Sequence, residues 1–499
     1  MNDIPSRKNK ALDILFPLLL TVGALLVQGY HPFSEDAEIY LPGVERILHP
    51  ELFPVGREFF QSHASMTLFP NVVALSIRIT HLPMQVGLLL WQIAAIFLLL
   101  LACWELGGLF FPENRRARWG GVCMVAALLT IPVAGTALYV MDQYLNPRNL
   151  AAFAGIFTLA RTLEKKYLRA FLWLLFAASM HPLMWVFPFS FCILLMVLDR
   201  VEPYWKAAAP SPVPTGLAAL WLWIPLAPAA SAAYNEAAKR HAYHYIQHWT
   251  WYELLGAVAP LALFWWFARV GRSRSWTELE RVSRAFVIYG AIYLVAAVIV
   301  DLPARFEALA RLQPLRSLHF LYIVMFVAIG GLLGEYVLRD HVWRWLLLFV
   351  PLSFGMFAAQ RALFPDSAHV ECPGEAPRNP WSQAFVWVRH NTPVNAVFAL
   401  DPDYMDIAGE DEIGFRCLAE RSQLADSVKD NGVVSMFPKL AEEWWAQVQA
   451  QSPWKSFGVK EFERLKAKYG ADWVIVQQPG VAGLDCEYQN RVVKVCRIP

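Results

Sequence analysis

Apolar residues fall in long runs over the first 361 positions, separated by short polar breaks. A helix crossing a bilayer needs about 20 consecutive apolar residues. On that measure, spans are expected at 12–30, 84–110, 119–138, 149–163, 168–181, 183–198, 214–232, 252–269, 284–301, 317–337 and 343–361. Residues 65–82 are apolar too, but Arg78 lies inside them, so an interfacial or re-entrant helix is expected there. The pattern predicts a mainly α, polytopic membrane protein with about 11–13 membrane helices. The first run lacks an A-x-A cleavage ending and reads as a retained span rather than a signal peptide.

The pattern changes at residue 362. NPWSQAFVWVRHNTP (379–393) opens with an Asn cap and Pro at the first helical position. AVFAL (396–400) and ADWVIVQ (471–477) read as buried strands, 438–451 and 459–469 as helices, and EYQNRVVKVCRI (487–498) as a hairpin. Helices alternating with strands imply a small α/β domain with a partly parallel sheet over 362–499. It carries no Gly-rich nucleotide loop and no nucleophile elbow, so an accessory or acceptor-recognition role is expected of it.

Charge assigns sides. Basic clusters at Arg7-Lys8-Lys10, Arg115-Arg116-Arg118, 161–169, 200–206, 269–284 and 339–344 mark cytoplasmic ends. The N-terminus is then inside. The first loop (31–63), the segments 139–149, 233–250 and 301–316, and the C-terminal domain lie outside. This is the layout of a multi-pass membrane protein with its N-terminus inside and its C-terminal domain outside the cytoplasm. Charged residues make up 17% of the 499, against about 25% in soluble proteins, and hydrophobic ones 57%. The net charge of +2 follows topology and gives no sign of a nucleic-acid partner. Cys103, Cys123 and Cys192 sit in apolar runs as packing residues. Cys372, Cys417, Cys486 and Cys496 cluster in the C-terminal region, which fits either disulfides in an oxidising compartment, with three pairings open, or free thiols in a reducing one.

Candidate chemistry gathers at the outside breaks. Glu35, Asp36 and Glu38 open the first loop, Asp36 being favoured as a general base, with an acidic helix cap for 37–48 as the alternative. Asp142 adds a second carboxylate; Asn146 and Arg148 offer an amide and a cation, unless NPRN merely starts a helix at Pro147. Arg305, Arg311 and Arg316 lie on the outer side against the positive-inside trend, where a guanidinium fork suits a phosphate. His241, His244 and His248, spaced three and four apart, share one face if helical, for a metal or for substrate lining. His181 stands alone at a helix end. Metal is not fixed by any of these, and a divalent cation remains an option.

The layout resembles the GT-C superfamily of membrane glycosyltransferases: a first span, a long outside loop with an acidic pair, a second loop bearing Asp142, further spans and a terminal outside α/β domain. The strings SEDAEIYLPGV, YLNPRNLA, HPLM and LQPLRSL, and the tail KYGADWVIVQ with its hairpin, are similar to a poorly characterised bacterial group of that superfamily. The resemblance implies transfer of a sugar from a polyprenyl-phosphate carrier to a glycan, lipid or protein acceptor, outside the cytoplasm and with inversion. It implies Asp36 or Glu35 as the first-loop acid, Asp142 as the second, and Arg311 or Arg316 as the cation for the lipid phosphate. Asp142 departs from the family in lacking a clear D-x-D partner. A non-catalytic scaffold or lipid-handling protein with the same fold is the alternative; a transporter fits less well, since no repeat or midplane charge is visible.

Overall fold

The computed structural model describes residues 7–205, 231–301 and 311–499. The expected span at 214–232 lies largely outside them, as does Arg305. The chain is mostly helical, with a five-stranded sheet near its C-terminal end.

The N-terminal helices are α1 (Arg7–Gln28), α2 (Ala37–Leu48), α3 (Glu58–Ser65), α4 (Phe69–Thr80), α5 (Met84–Phe110), α6 (Arg115–Ala127), α7 (Pro147–Leu163), α8 (Tyr167–Met180) and α9 (Val186–Trp205). There follow α10 (Ala232–Lys239), α11 (Trp251–Arg274), α12 (Thr277–Val300), α13 (Ser317–Leu333) and α14 (Val342–Leu363). Among the described residues five helices are long and apolar enough to cross a membrane: α5, α11, α12, α14, and α13 with its flanking turns, Pro314–Leu338. The protein is a multi-pass membrane protein. The other expected spans within the described residues fall on shorter or more polar helices or, for 119–138, partly outside helix. At about 1.5 Å per residue, the 12-residue α4 reaches about 18 Å, too short for a core of about 30 Å.

One expected span is corrected. Residues 119–138 do not form a single helix: α6 stops at Ala127, and 128–146 run without helix through the protein interior. Buried irregular backbone is stable only if its polar groups are paired. Here Gln28 of α1 donates to the carbonyls of Ala126 (3.2 Å) and Ala127 (2.9 Å). Met141 N–H donates to Leu129 O (2.7 Å) and Val133 N–H to Leu138 O (2.8 Å), so the segment doubles back on itself. Gln92 of α5 and His319 of α13 bind the carbonyls of Asp142 (2.7 Å) and Val140 (2.9 Å).

The C-terminal region contains α15 (Pro380–Asn391), α16 (Phe415–Ala419), α17 (Asp430–Met436), α18 (Ala441–Ala450) and α19 (Val459–Tyr469). Its strands are β1 (Val397–Ala399), β2 (Ser422–Gln423), β3 (Trp473–Gln477), β4 (Asp485–Gln489) and β5 (Val493–Arg497), in the order β2-β1-β3-β5-β4. β1 runs parallel to β2 and β3, and β5 antiparallel to β3 and β4. Asn379 caps α15 as expected, accepting from Trp381 N–H. Of the three pairings left open, the fold makes one bond within this region: Cys486–Cys496, across β4 and β5. Cys372 is a free exposed thiol, and Cys417 is buried against the carbonyls of Phe33 and Gly414.

Candidate functional site

The first polar break is not an open loop. Residues 31–63 fold into α2 and α3, and the acidic step sits at the head of α2. Asp36 holds the N-cap position, yet its carboxylate makes no cap bond; it turns instead to Arg148. The helix-cap alternative therefore does not account for this side chain. Glu35 adopts a left-handed backbone, φ 59°, fixed by its N–H on Glu412 O (2.7 Å). Glu38 points away, into a buried cluster on Arg416. The periodicity of α2 sends it to the opposite face from Asp36.

Arg148 comes from the first turn of α7. Asn146 caps that helix, its side chain accepting from the N–H groups of Arg148 and Asn149, with Pro147 at the first position. The cap also binds the Asp142 carboxylate. Asn146 is thus a buried organiser and does not line the cavity, which corrects its expected substrate contact. Arg148 bridges two acids: Nη1 lies 2.9 Å from Asp36, and Nη2 3.2 Å from Asp142. The Asp36 side chain keeps 25% of its surface and Asp142 only 6%, so Asp36 is the acid that faces outward.

These residues meet on one cavity of about 260 Å³, closed on the other side by the C-terminal region. Arg316, in the turn that leads into α13, lines it; among the described residues its side chain has no ion pair, and its Nε is buried without a partner. Lys429, just before α17, lines it as well. It pairs with Glu35 and stands 3.7 Å from Asp36. Three lining carboxylates (Glu35, Asp36, Asp142) face three cations (Arg148, Arg316, Lys429); the fourth lining cation, Arg240, is met by Asp403 at 2.7 Å and Asp406 at 3.6 Å. Burial alone would raise the Asp36 carboxyl, but Arg148, Lys429 and Arg316 outweigh it and hold it well below the usual carboxylate range. Burial lifts Asp142, with Arg148 opposing. Ala137 and Gln313 join Glu35 as lining residues with left-handed backbones, φ 54° and 46°. Such strain costs about 1–3 kcal/mol per residue and gathers at working sites.

The remaining expectations divide. His181, His241 and His244 line the cavity, whereas His248 does not. The three spaced histidines share no helical face, because α10 ends at Lys239 and two short 3₁₀ turns follow. Arg311 lies beside a neighbouring crevice, over the ring of Tyr234 at 5.5 Å, so that of the two described arginines of the third loop Arg316 lines the main cavity. No group of three or more metal-binding side chains occurs among the described residues, and Arg148 occupies the place between Asp36 and Asp142 that a cation would take. The donor set does not fit a divalent ion. Lys429 and Tyr144, whose hydroxyl accepts from Asp36 N–H (3.2 Å), were missed by sequence reasoning.

No protein-family model matches the chain, and no curated protein matches it significantly. Among solved structures, the apo crystal structure of an oligosaccharyltransferase from Archaeoglobus fulgidus is similar, with 11% sequence identity, a TM-score of 0.48, and coverage of 95% of this chain and 70% of that one.

Proposed function

We propose that the protein transfers a sugar from a polyprenyl-phosphate-linked donor to a glycan, lipid or protein acceptor, at the outer face of a bacterial plasma membrane. The observation that supports this is the meeting of Asp36, Asp142, Arg148 and Arg316, whose Nε has no partner among the described residues, on one cavity at the end of an apolar helix bundle. A half-buried guanidinium whose Nε is buried without a partner is completed by an anion, and a lipid phosphate has the matching charge and geometry. The donor's isoprenoid tail would lie among the apolar helices, and its phosphate against Arg316, with Lys429 adding charge. As the glycosidic bond breaks, negative charge grows on the phosphate and is stabilised there. The ionised Asp36 faces the developing positive charge of the anomeric carbon. Attack by the acceptor opposite the departing phosphate inverts that centre. Asp142 and Arg148 hold Asp36 in place.

The alternative is a lipid-phosphate-handling protein without catalysis, favoured by one observation: Arg148 already satisfies both acids. Purified protein in nanodiscs, given a radiolabelled polyprenyl-phosphosugar and a membrane extract as acceptor, separates the two. Transfer is expected from the parent and a loss of about 100-fold or more from Asp36→Asn with its fold intact. Undiminished transfer by that variant removes the assignment; donor binding without transfer by the parent establishes the alternative.

A further inference from the structure

Four histidines line the cavity: His63, His181, His241 and His244. Two are oriented by backbone contacts, in opposite senses. The main-chain N–H groups of Leu183 and Met184 both donate to Nδ1 of His181, at 3.2 Å. A nitrogen that accepts carries no hydrogen, so the neutral ring bears it on Nε2 and can only donate to a ligand. At His241 the partner is a carbonyl: Nδ1 stands 3.1 Å from Ala237 O. A carbonyl only accepts, so Nδ1 carries the hydrogen and Nε2 keeps a bare lone pair. That Nε2 has no hydrogen-bond partner among the described residues. Gly432, another lining residue, leaves it uncovered; a Cβ there would stand 3.5 Å away.

Asp36 is poorly suited to proton abstraction. Its carboxylate oxygens are engaged by Arg148 at 2.9 Å with Lys429 at 3.7 Å, whereas Nε2 of His241 keeps a free lone pair. We infer that His241, oriented by Ala237, is the group that takes the proton from the acceptor hydroxyl. This deepens the glycosyl-transfer reading and rests on it. In the step, the acceptor oxygen bonds to the anomeric carbon while the bond from that carbon to the phosphate oxygen breaks. The bonding pair leaves on the phosphate beside Arg316, and the hydroxyl proton passes to Nε2 of His241. The imidazolium keeps its Nδ1–H on Ala237 O, and the phosphate's new charge balances it. A base braced by a hydrogen bond on its far nitrogen is the arrangement that proton abstraction needs.

The groups around the ring are Tyr243 and His244 from its own segment, Arg316 from the turn before α13, Lys429 from the C-terminal region, and Asp36 from α2. Burial brings His241 down to about 4; the Ala237 carbonyl and Asp36 oppose that, and Arg316 and Lys429 add to it. The ring is therefore neutral at working pH, and a phosphate set against Arg316 lifts its basicity.

His241→Asn is the test, since the asparagine amide preserves a donor toward Ala237 O but places nothing at Nε2. With a short-chain polyprenyl-phosphosugar as donor, kcat is expected to fall about 100-fold or more, with donor KM unchanged within about twofold and the acid limb of kcat/KM lost. His241→Gln, read the same way, serves if the first variant does not purify as a monodisperse protein. Retention of more than about a third of parental kcat, or a loss confined to KM, overturns the inference while leaving the transfer reading standing. Absence of transfer by the parent overturns both.

Discussion

Arg148 is the residue on which the cavity's electrostatics turn. It is buried between Asp36 and Asp142, and its removal leaves two carboxylates facing each other, one of them almost without solvent. Breaking a buried pair by deleting one partner costs about 3–5 kcal/mol, because the other charge is left uncompensated. Arg148→Gln is therefore expected to destabilise by that amount, and Asp36→Asn by clearly less, since Arg148 then keeps Asp142. Thermal unfolding in detergent checks the order; equal melting temperatures for the two variants would contradict it. The members of this trio lie in short polar breaks beside apolar runs, where a charge is conspicuous, and so were legible in the sequence. Lys429 was not. Nothing local in DSVKDNG distinguishes it from a surface lysine, and its partner Glu35 is 394 positions away. His241 was visible only as one of three spaced histidines. What singles it out, a carbonyl on Nδ1, belongs to the fold.

The central crossing of the bundle, between α6 and α13, rests on missing side chains. A Cβ on Gly120 would stand 2.1 Å from Gly330 O, and one on Gly330 2.2 Å from Gly120 O. Both obstacles are backbone atoms, which cannot turn aside as a side chain can. Small residues allow membrane helices this approach, where packing rather than water drives association. Gly120→Ala is expected to destabilise by about 1–3 kcal/mol or more, while Gly23→Ala in α1, with no atom within 4 Å of the new carbon, changes little. Melting of the two variants side by side decides it. α6 is also the element whose extent the apolar pattern misjudged. Apolarity reports burial, and 128–146 are buried as non-helical backbone. The groups that make this tolerable, Gln28, Gln92 and His319, come from three other helices. No periodicity within 119–138 encodes them. By contrast α5 and α14, which need no such help, follow their apolar runs to within two residues, and α11 and α12 extend theirs by a polar turn or two at one end.

At the scale of the whole molecule, the two ends of the chain are joined by a second buried charge cluster, behind the cavity. Arg416 of α16 faces Glu38 of α2 at 3.3 Å, Asp430 of α17 at 2.7 Å and Asp426 at 3.7 Å. One guanidinium cannot balance three buried carboxylates. Burial pushes Glu38 up to about 8 and Asp430 up to about 7, in each case against the pull of Arg416 and with Asp426 adding to the rise. Unfolded, both titrate near the ordinary carboxylate value of about 4. Between about pH 4 and pH 8 the folded state therefore binds more protons than the unfolded one, and stability falls as pH rises. The contribution is fully present below the ordinary carboxylate pKa and is lost as pH climbs through about 7 to 8, at about 1.4 kcal/mol per pH unit for each retained proton. Asp36 and Glu35, whose carboxyls are held low, have the opposite sign: their contribution stands above the ordinary value and is lost only as pH falls below it. They do not mask the alkaline slope. The buried histidines His63, His241 and His244, held below the ordinary value of about 6.5, add stability as pH rises to about 7, so the carboxylate effect is read above that. Melting temperature measured between about pH 7 and 9 should decline, and Glu38→Gln, which cannot release a proton, should flatten the decline. A parental profile that rises over that range would mean that all three carboxylates are ionised in the fold, and that Lys429 and the backbone N–H groups around Asp426 compensate what Arg416 alone does not.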